Sequence, residues 1–172
     1  SPYGAAKLLA HQMVGIYRHA FAVKASSAIL YNHESVRRPA AFVTRKIARA
    51  AARIRLGLQQ RLELGSLEIE RDWGHAPEYA DAMLRMARAD VADDYVVATG
   101  RLAKIRDLVQ IAFERVGLPW EQYVHISPDQ RRPVESVGLC GNPERIEQRL
   151  QWRARTGLLE IMGEMVDLEL QS

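Results

Sequence analysis

The chain reads as an α/β protein, and three observations predict it. Short apolar segments alternate with longer segments of helical period along its whole length. Polar clusters follow two of the apolar segments, at 32–35 and 99–100. In open α/β sheets ligands bind beyond the C-terminal ends of the strands, where such clusters sit. Residues 1–7, Ser-Pro-Tyr-Gly-Ala-Ala-Lys, set a tyrosine and a lysine one helical turn apart at the start of a long helix.

The elements follow in order. Residues 2–21 form a helix, capped by Ser1 and opened by Pro2. Its apolar stripe is Ala5, Leu8, Leu9, Met13, Ile16 and Ala20. Residues 22–31 form an apolar strand that ends in Asn32-His33-Glu34-Ser35, and residues 36–40 a basic loop. A helix over about 42–58 carries arginines on one side and Ile47, Ala50, Ala51 and Ile54 on the other. Leu62–Leu64 is a short strand, and residues 65–72 turn into a helix over about 76–89. A strand at 95–98 is closed by Thr99-Gly100, and an amphipathic helix covers 105–116. Residues 120–123 make a turn and Val124–Ile126 a strand, before a Pro- and Arg-rich stretch at 127–135. Two short helices, 143–150 and 157–170, complete the chain. There is no internal repeat, and no glycine-rich turn follows a first strand.

Composition narrows the class. With 172 residues, 48% of them hydrophobic, the chain can bury a core and is not a disordered segment. A net charge of +3 is too mild to imply nucleic acid, and few aromatics interleave with the arginines of 45–61. The single cysteine, Cys140, rules out an intrachain disulfide and fits a reducing cytoplasm. No apolar run reaches membrane-span length, and no signal peptide is expected. The chain has no initiating methionine and begins in a helix cap, so it is expected to be the C-terminal part of a longer protein.

Tyr3 and Lys7 are the leading catalytic candidates. A cation beside a phenol stabilises the phenolate and makes it a usable base near neutrality. The dull alternative is a packed tyrosine beside a surface lysine. The cluster at 32–35 serves equally as a hydrogen-bonding site or a polar turn. Thr44-Arg45-Lys46, with Arg49, Arg53 and Arg55, is either a phosphate-binding face or a solvated one. Glu70-Arg71-Asp72-Trp73-Gly74-His75 contains either a functional arginine or a buried Arg–Asp pair under an indole. Arg131-Arg132-Pro133-Val134-Glu135 suits a diphosphate and a ribose hydroxyl, or is an exposed basic loop. The five histidines show no metal-ligand spacing, so no metal is expected, and Cys140 reads as a small packed thiol.

The blocks SPYGAAKLLAHQM, YNHES followed by RR, FVTRKIARA, ERDWGHAPEYADAM, DDYVVATG and RRPVE span nearly the whole chain. In this order they resemble the GDP-mannose 4,6-dehydratase family of extended short-chain dehydrogenase/reductases. The resemblance implies the C-terminal part of a Rossmann-type NAD(P)-binding fold plus a smaller mixed α/β substrate-binding domain. On that pattern 1–35 are the Rossmann part and 36–172 mainly the nucleotide-sugar part, with about 74–100 packing back on the former. The glycine-rich half, a catalytic threonine or serine, and the glutamate of the elimination would precede residue 1.

The implied cofactor is NADP and the implied substrate GDP-mannose, in a homo-oligomer with no nucleic acid or membrane partner. Tyr3 would be the base, with Lys7 its partner on the nicotinamide ribose. His33 and Arg38 would contact NADP. Asn32, Lys46, Arg71, Arg132 and Glu135 would contact the GDP-sugar. The implied reaction oxidises sugar carbon 4, loses water across carbons 5 and 6, and returns hydride to carbon 6, giving GDP-4-keto-6-deoxymannose. The loop 36–40, Val-Arg-Arg-Pro-Ala, departs from the family's Pro-Arg-Arg-Gly-Glu. A non-catalytic oligomerising or binding relative, and a related GDP-sugar epimerase or reductase, are the competing readings.

Overall fold

The computed structural model describes residues 1–127, 129 and 138–171. Helix α1 (Pro2–Ala20) starts as the sequence predicts, with Ser1 Oγ accepting from the Gly4 amide at 3.1 Å. It runs back along strand β1 (Ser27–Leu30). His11 Nδ1 lies 2.9 Å from Ser27 Oγ, and Arg18 donates to Ala25 O at 2.8 Å and pairs with Asp94. The predicted apolar stripe does not face a core. Leu8, Leu9, Met13 and Ile16 are 40–60% exposed, and no residue of α1 is buried. Polar anchors, His11 and Arg18, hold the helix instead.

The strand predicted over 22–31 is shorter than its apolar run. Ala22 takes a positive φ of 53°, and regular pairing begins only at Ser27. The polar cluster is itself a strand, β2 (Asn32–Glu34). Its partner is β4 (Glu70–His75), in parallel register with Asn32 opposite Trp73. The first half of β4 pairs antiparallel with β6 (Leu102–Lys104). The sequence pattern missed β4, whose first three residues, Glu70-Arg71-Asp72, are charged where apolar alternation marks a strand, and β6, whose three residues are too few to show a period. β1 pairs parallel with β5 (Asp94–Val97), and β3 (Leu62–Leu64) with β7 (Val124–Ile126).

The remaining helices are α2 (Val43–Arg55), α3 (Ala76–Arg88), α4 (Ile105–Arg115), α5 (Glu144–Leu150) and α6 (Leu158–Leu170). The predicted inner face of α2, including Ile47, Ala50, Ala51 and Ile54, is buried against Leu108, Phe113, Met162 and Val166 of α4 and α6. A second cluster joins Tyr79 and Met86 of α3 to Tyr95 and Val97 of β5, and to Ile146 and Trp152. No described helix is long and apolar enough to cross a membrane.

Asp72, fully buried on β4, ties three segments together. Its Oδ1 accepts from the Thr99 amide at 2.9 Å and the Thr99 hydroxyl at 2.7 Å. Its Oδ2 accepts from the amides of Gly100 at 2.9 Å and Gly141 at 3.2 Å. The close approach requires glycine at 141, where a Cβ would stand 2.2 Å from that of Ala98. Asp72→Asn, which turns an NH₂ toward amides that need an acceptor, is expected to cost about 1–3 kcal/mol in urea unfolding. An unchanged midpoint would show that the junction is not held by this carboxylate.

Candidate functional site

Tyr3 and Lys7 come together on α1, with Lys7 Nζ 5.5 Å from the Tyr3 ring centroid. Tyr3 is 73% exposed. Because α1 runs back along β1 with His11 beside Ser27, the eight residues from His11 to Tyr3 carry the phenol about 12 Å. That is the direction of the C-terminal end of β1, so the pair lies toward the end of the sheet where Asn32 and His33 follow. No hydrogen bond, ion pair or ring contact links Tyr3 or Lys7 to β2 among the described residues.

On β2, His33 Nδ1 lies 2.8 Å from Tyr31 O. A carbonyl only accepts, so Nδ1 carries the proton and, in the neutral ring, Nε2 is an acceptor. The imidazole rests against Tyr79, with centroids 5.1 Å apart. Gly74 makes room, since a Cβ there would meet the Tyr79 ring at 2.3 Å. Burial, with help from Asp72 and Glu78, pushes the Tyr79 phenol well above its ordinary pKa.

Glu34 ends β2 and is 1% exposed. Its Oε2 accepts from Thr44 Oγ1 at 2.6 Å and lies 3.2 Å from Arg38 Nε. Burial raises its pKa above the ordinary carboxylate value, outweighing the Thr44 hydrogen bond and the charges of Arg38 and His33.

Lys46, on α2, donates to Glu63 O at 2.7 Å and lines a groove of about 460 Å³ with Arg49, Gln59, Arg61 and Glu63. The basic face of α2 is only partly solvated. Arg45 is bound to Glu169 at 2.6 Å and donates to Val36 O, so it fastens the 36–40 loop to α6. Arg71 lies on β4 one residue before Asp72, half-buried, with Nη1 donating to Glu70 O at 2.6 Å. Alternation sends these two neighbours to opposite faces, and only Asp72 is fully buried.

The sheet β2–β4–β6 therefore brings Asn32, His33 and Arg71 onto adjacent strands, with Arg38 and Lys46 on the loop and helix that follow β2. Arg132 and Glu135 lie outside the described residues. Among the described residues no cluster of three His, Cys, Asp or Glu could hold a metal, and Cys140 is exposed. The sequence places Glu34 and Thr44 only within broader polar clusters and Asp72 in an Arg–Asp pair, whereas Asp72 binds the amides of Thr99, Gly100 and Gly141; it gives Tyr79 no part. A carboxylate inside a polar strand-end cluster, and another beside Trp-Gly, were the only signals for the two acids.

Chemically, the site offers a phenol beside an ammonium, an imidazole whose Nδ1 is taken up by Tyr31 O, a guanidinium and further cations. That donor set suits a phosphorylated dinucleotide and a nucleoside diphosphate, with cations for phosphates and acceptors for ribose hydroxyls.

The fold recurs in solved structures. RMD from Pseudomonas aeruginosa complexed with NADPH superposes with a TM-score of 0.88 at 23% identity, over 99% of this chain and 56% of that one. UDP-glucose 4-epimerase from Thermus thermophilus in complex with NAD gives 0.83 at 22% identity, over 98% and 54%. The α/β architecture of this chain is thus shared with about half of each of these proteins.

A family model described as GDP-mannose 4,6 dehydratase matches residues 1–165, and the chain belongs to that family. It is 41% identical over 99% of its length to GDP-mannose 4,6 dehydratase 1 of Arabidopsis thaliana. To the GDP-mannose 4,6-dehydratase of Sinorhizobium fredii it is 42% identical over 99%. The chain spans about half the length of the curated relatives it matches, 47% and 53% for these two.

Glu34 generates a pH-dependent expectation. Its carboxyl binds its proton more readily folded than unfolded, so its stability contribution is full below the ordinary value and lost as pH rises through the raised one. Glu34→Gln imitates the protonated form. The unfolding midpoint of the wild type should fall relative to that of Glu34→Gln as pH rises above the ordinary carboxylate value. A gap moving the other way would place the carboxylate in a charge-favouring environment.

Proposed function

We propose that this chain furnishes the catalytic helix and the nucleotide-sugar-binding part of a GDP-mannose 4,6-dehydratase, an NADP-dependent lyase. The observation that carries the reading is the Tyr3–Lys7 pair, with the ammonium 5.5 Å from the phenol ring at the strand-end side of the sheet. Family membership supports it.

NADP, when bound, supplies hydride transfer. The chain's own residues supply the rest. The Tyr3 phenolate, stabilised by the Lys7 ammonium, takes the proton of the sugar 4-hydroxyl and becomes the phenol, and Lys7 also holds the nicotinamide ribose. His33 Nε2 accepts from a cofactor hydroxyl or amide, and Arg38 faces a cofactor phosphate. Asn32, Lys46, Arg71 and Arg132 hold the GDP-sugar, the three cations toward its diphosphate, and Glu135 accepts from a ribose hydroxyl. In this reading residues 1–35 belong to the Rossmann part and 36–172 mainly to the substrate part, with about 74–100 packing back on the former. The complete protein is a cytoplasmic homo-oligomer.

The exposed stripe of α1 favours a second reading, a binding relative without catalysis of its own. The 172 residues alone are expected not to turn over GDP-mannose. Product formation by this chain by itself would refute that division of labour.

In a complete enzyme made by joining the chain to the N-terminal half of a relative, Tyr3→Phe should lower kcat by about 10²–10⁴-fold. Arg132→Ala should raise KM with kcat largely kept, because a diphosphate contact is made in the ground state as well. Unchanged turnover by Tyr3→Phe would favour the binding relative. Recovery of a sugar epimer instead of a 4-keto-6-deoxy product would favour the epimerase class.

A further inference from the structure

Glu34 has no part in the reaction as argued above, yet it is the most buried acid near the site besides Asp72. Burying a carboxylate costs hydration, and here burial is the leading cause of its raised pKa. What the carboxylate holds is visible in the geometry.

Arg38 is gripped on an edge and on a face. Its Nε lies 3.2 Å from Glu34 Oε2, and its guanidinium carbon stands 3.7 Å from the centroid of the Phe42 ring. The same carboxylate oxygen accepts from Thr44 Oγ1 in the first turn of α2, which anchors the acid in turn. The backbone between is closed on itself. Arg38 N donates to Ser35 O at 3.0 Å, Arg37 N to Ser35 Oγ at 3.2 Å, and Phe42 N to Pro39 O at 3.1 Å. Arg38 Nε is buried and makes no hydrogen bond, its approach to Glu34 being an ion pair, while the side chain as a whole is 22% exposed, so the accessible part is the Nη end. Among the described residues the two Nη groups make no hydrogen bond.

We propose that Glu34 is a positioning residue for Arg38, holding the guanidinium by its Nε corner so that the Nη pair faces outward as a preformed fork for a phosphate group. This rests on the reading of Arg38 as a contact to a phosphorylated cofactor. A guanidinium fork matches two phosphate oxygens at once. An arginine already immobilised gives up less freedom when the phosphate arrives, so the clamp strengthens binding without touching the ligand. The negative charge of Glu34 sits at the opposite corner from the fork.

The experiment follows the Arg38 Nε–H resonance in the ¹⁵N-labelled chain, identified by its loss in Arg38→Lys. The wild type should show a sharp signal that exchanges slowly with water. Glu34→Gln should broaden it and speed its exchange while the backbone amide spectrum stays folded, and Glu34→Asp, which keeps the charge, should restore part of the protection. An Arg38 signal as sharp and slow in Glu34→Gln as in the wild type overturns the proposal.

In the joined complete enzyme, titration with NADP, NAD and GDP-mannose tells which phosphate the fork takes. Glu34→Gln should weaken that ligand by about two- to tenfold, the scale of immobilising one long side chain. Where a ligand moves the Arg38 signal, equal affinity for that ligand in the two proteins also overturns the proposal. A clamp present in the wild type but unmoved by all three ligands supports the positioning of Arg38 and removes instead the reading of Arg38 as a cofactor contact.

Discussion

The buried carboxylate of Asp72 is the constraint on which the arrangement of this molecule depends. One side chain on β4 receives three backbone amides and a hydroxyl, from the turn after β5 and from Gly141. Those amides have no helix or strand partner to fall back on, and an unpaired amide in an interior is expensive. The strand carrying Arg71 is thereby locked to the loop that closes β5 and to the chain entering α5. Gly74, two residues on, lets Tyr79 lie against the same strand, and Tyr79 in turn backs His33. The packing behind the proposed cofactor contact and the packing beneath Arg71 thus share one short strand.

A division of labour follows between the two ends of β2. Asn32 and His33 are half-exposed at the strand-end side of the sheet, while Glu34 is buried and works inward on Thr44 and Arg38. Strand alternation alone would put Asn32 and Glu34 on one face and His33 on the other. The strand is short and leads straight into a closed loop, so its last residue points into the space between β2 and α2. Arg45 makes a second tie from α2 to that loop, through Val36 O, and reaches Glu169 on α6. Charged residues in this region connect elements where the apolar clusters do not reach.

Much of the fold was legible in the residues. The period of α2, with alanines and isoleucines inward, and the Ser1–Pro2 start of α1 were read from spacing and capping chemistry and recur in the structure. Two features defied that reading for physical reasons. β4 carries charge where apolar alternation marks a strand, because Asp72 turns inward to satisfy backbone amides, and β6 is only three residues long. The stripe of α1 is apolar yet exposed, because a 3.6-residue period reports which side chains share a face and not what lies opposite them.

By itself the sequence determined the α/β class, the family, and the residue types available for chemistry at 3, 7, 32–38, 46, 71 and 132–135. Those follow from local spacing and from motifs that survive being read one after another. Only the tertiary structure decided that Asn32–Glu34 is a strand paired with Trp73–His75, that Asp72 joins three segments, and that Glu34 faces Arg38 and Thr44. Strand partners and buried polar networks are made between residues distant in the chain. Their energy lies in satisfying hydrogen bonds away from water, a requirement that no local pattern of side chains encodes.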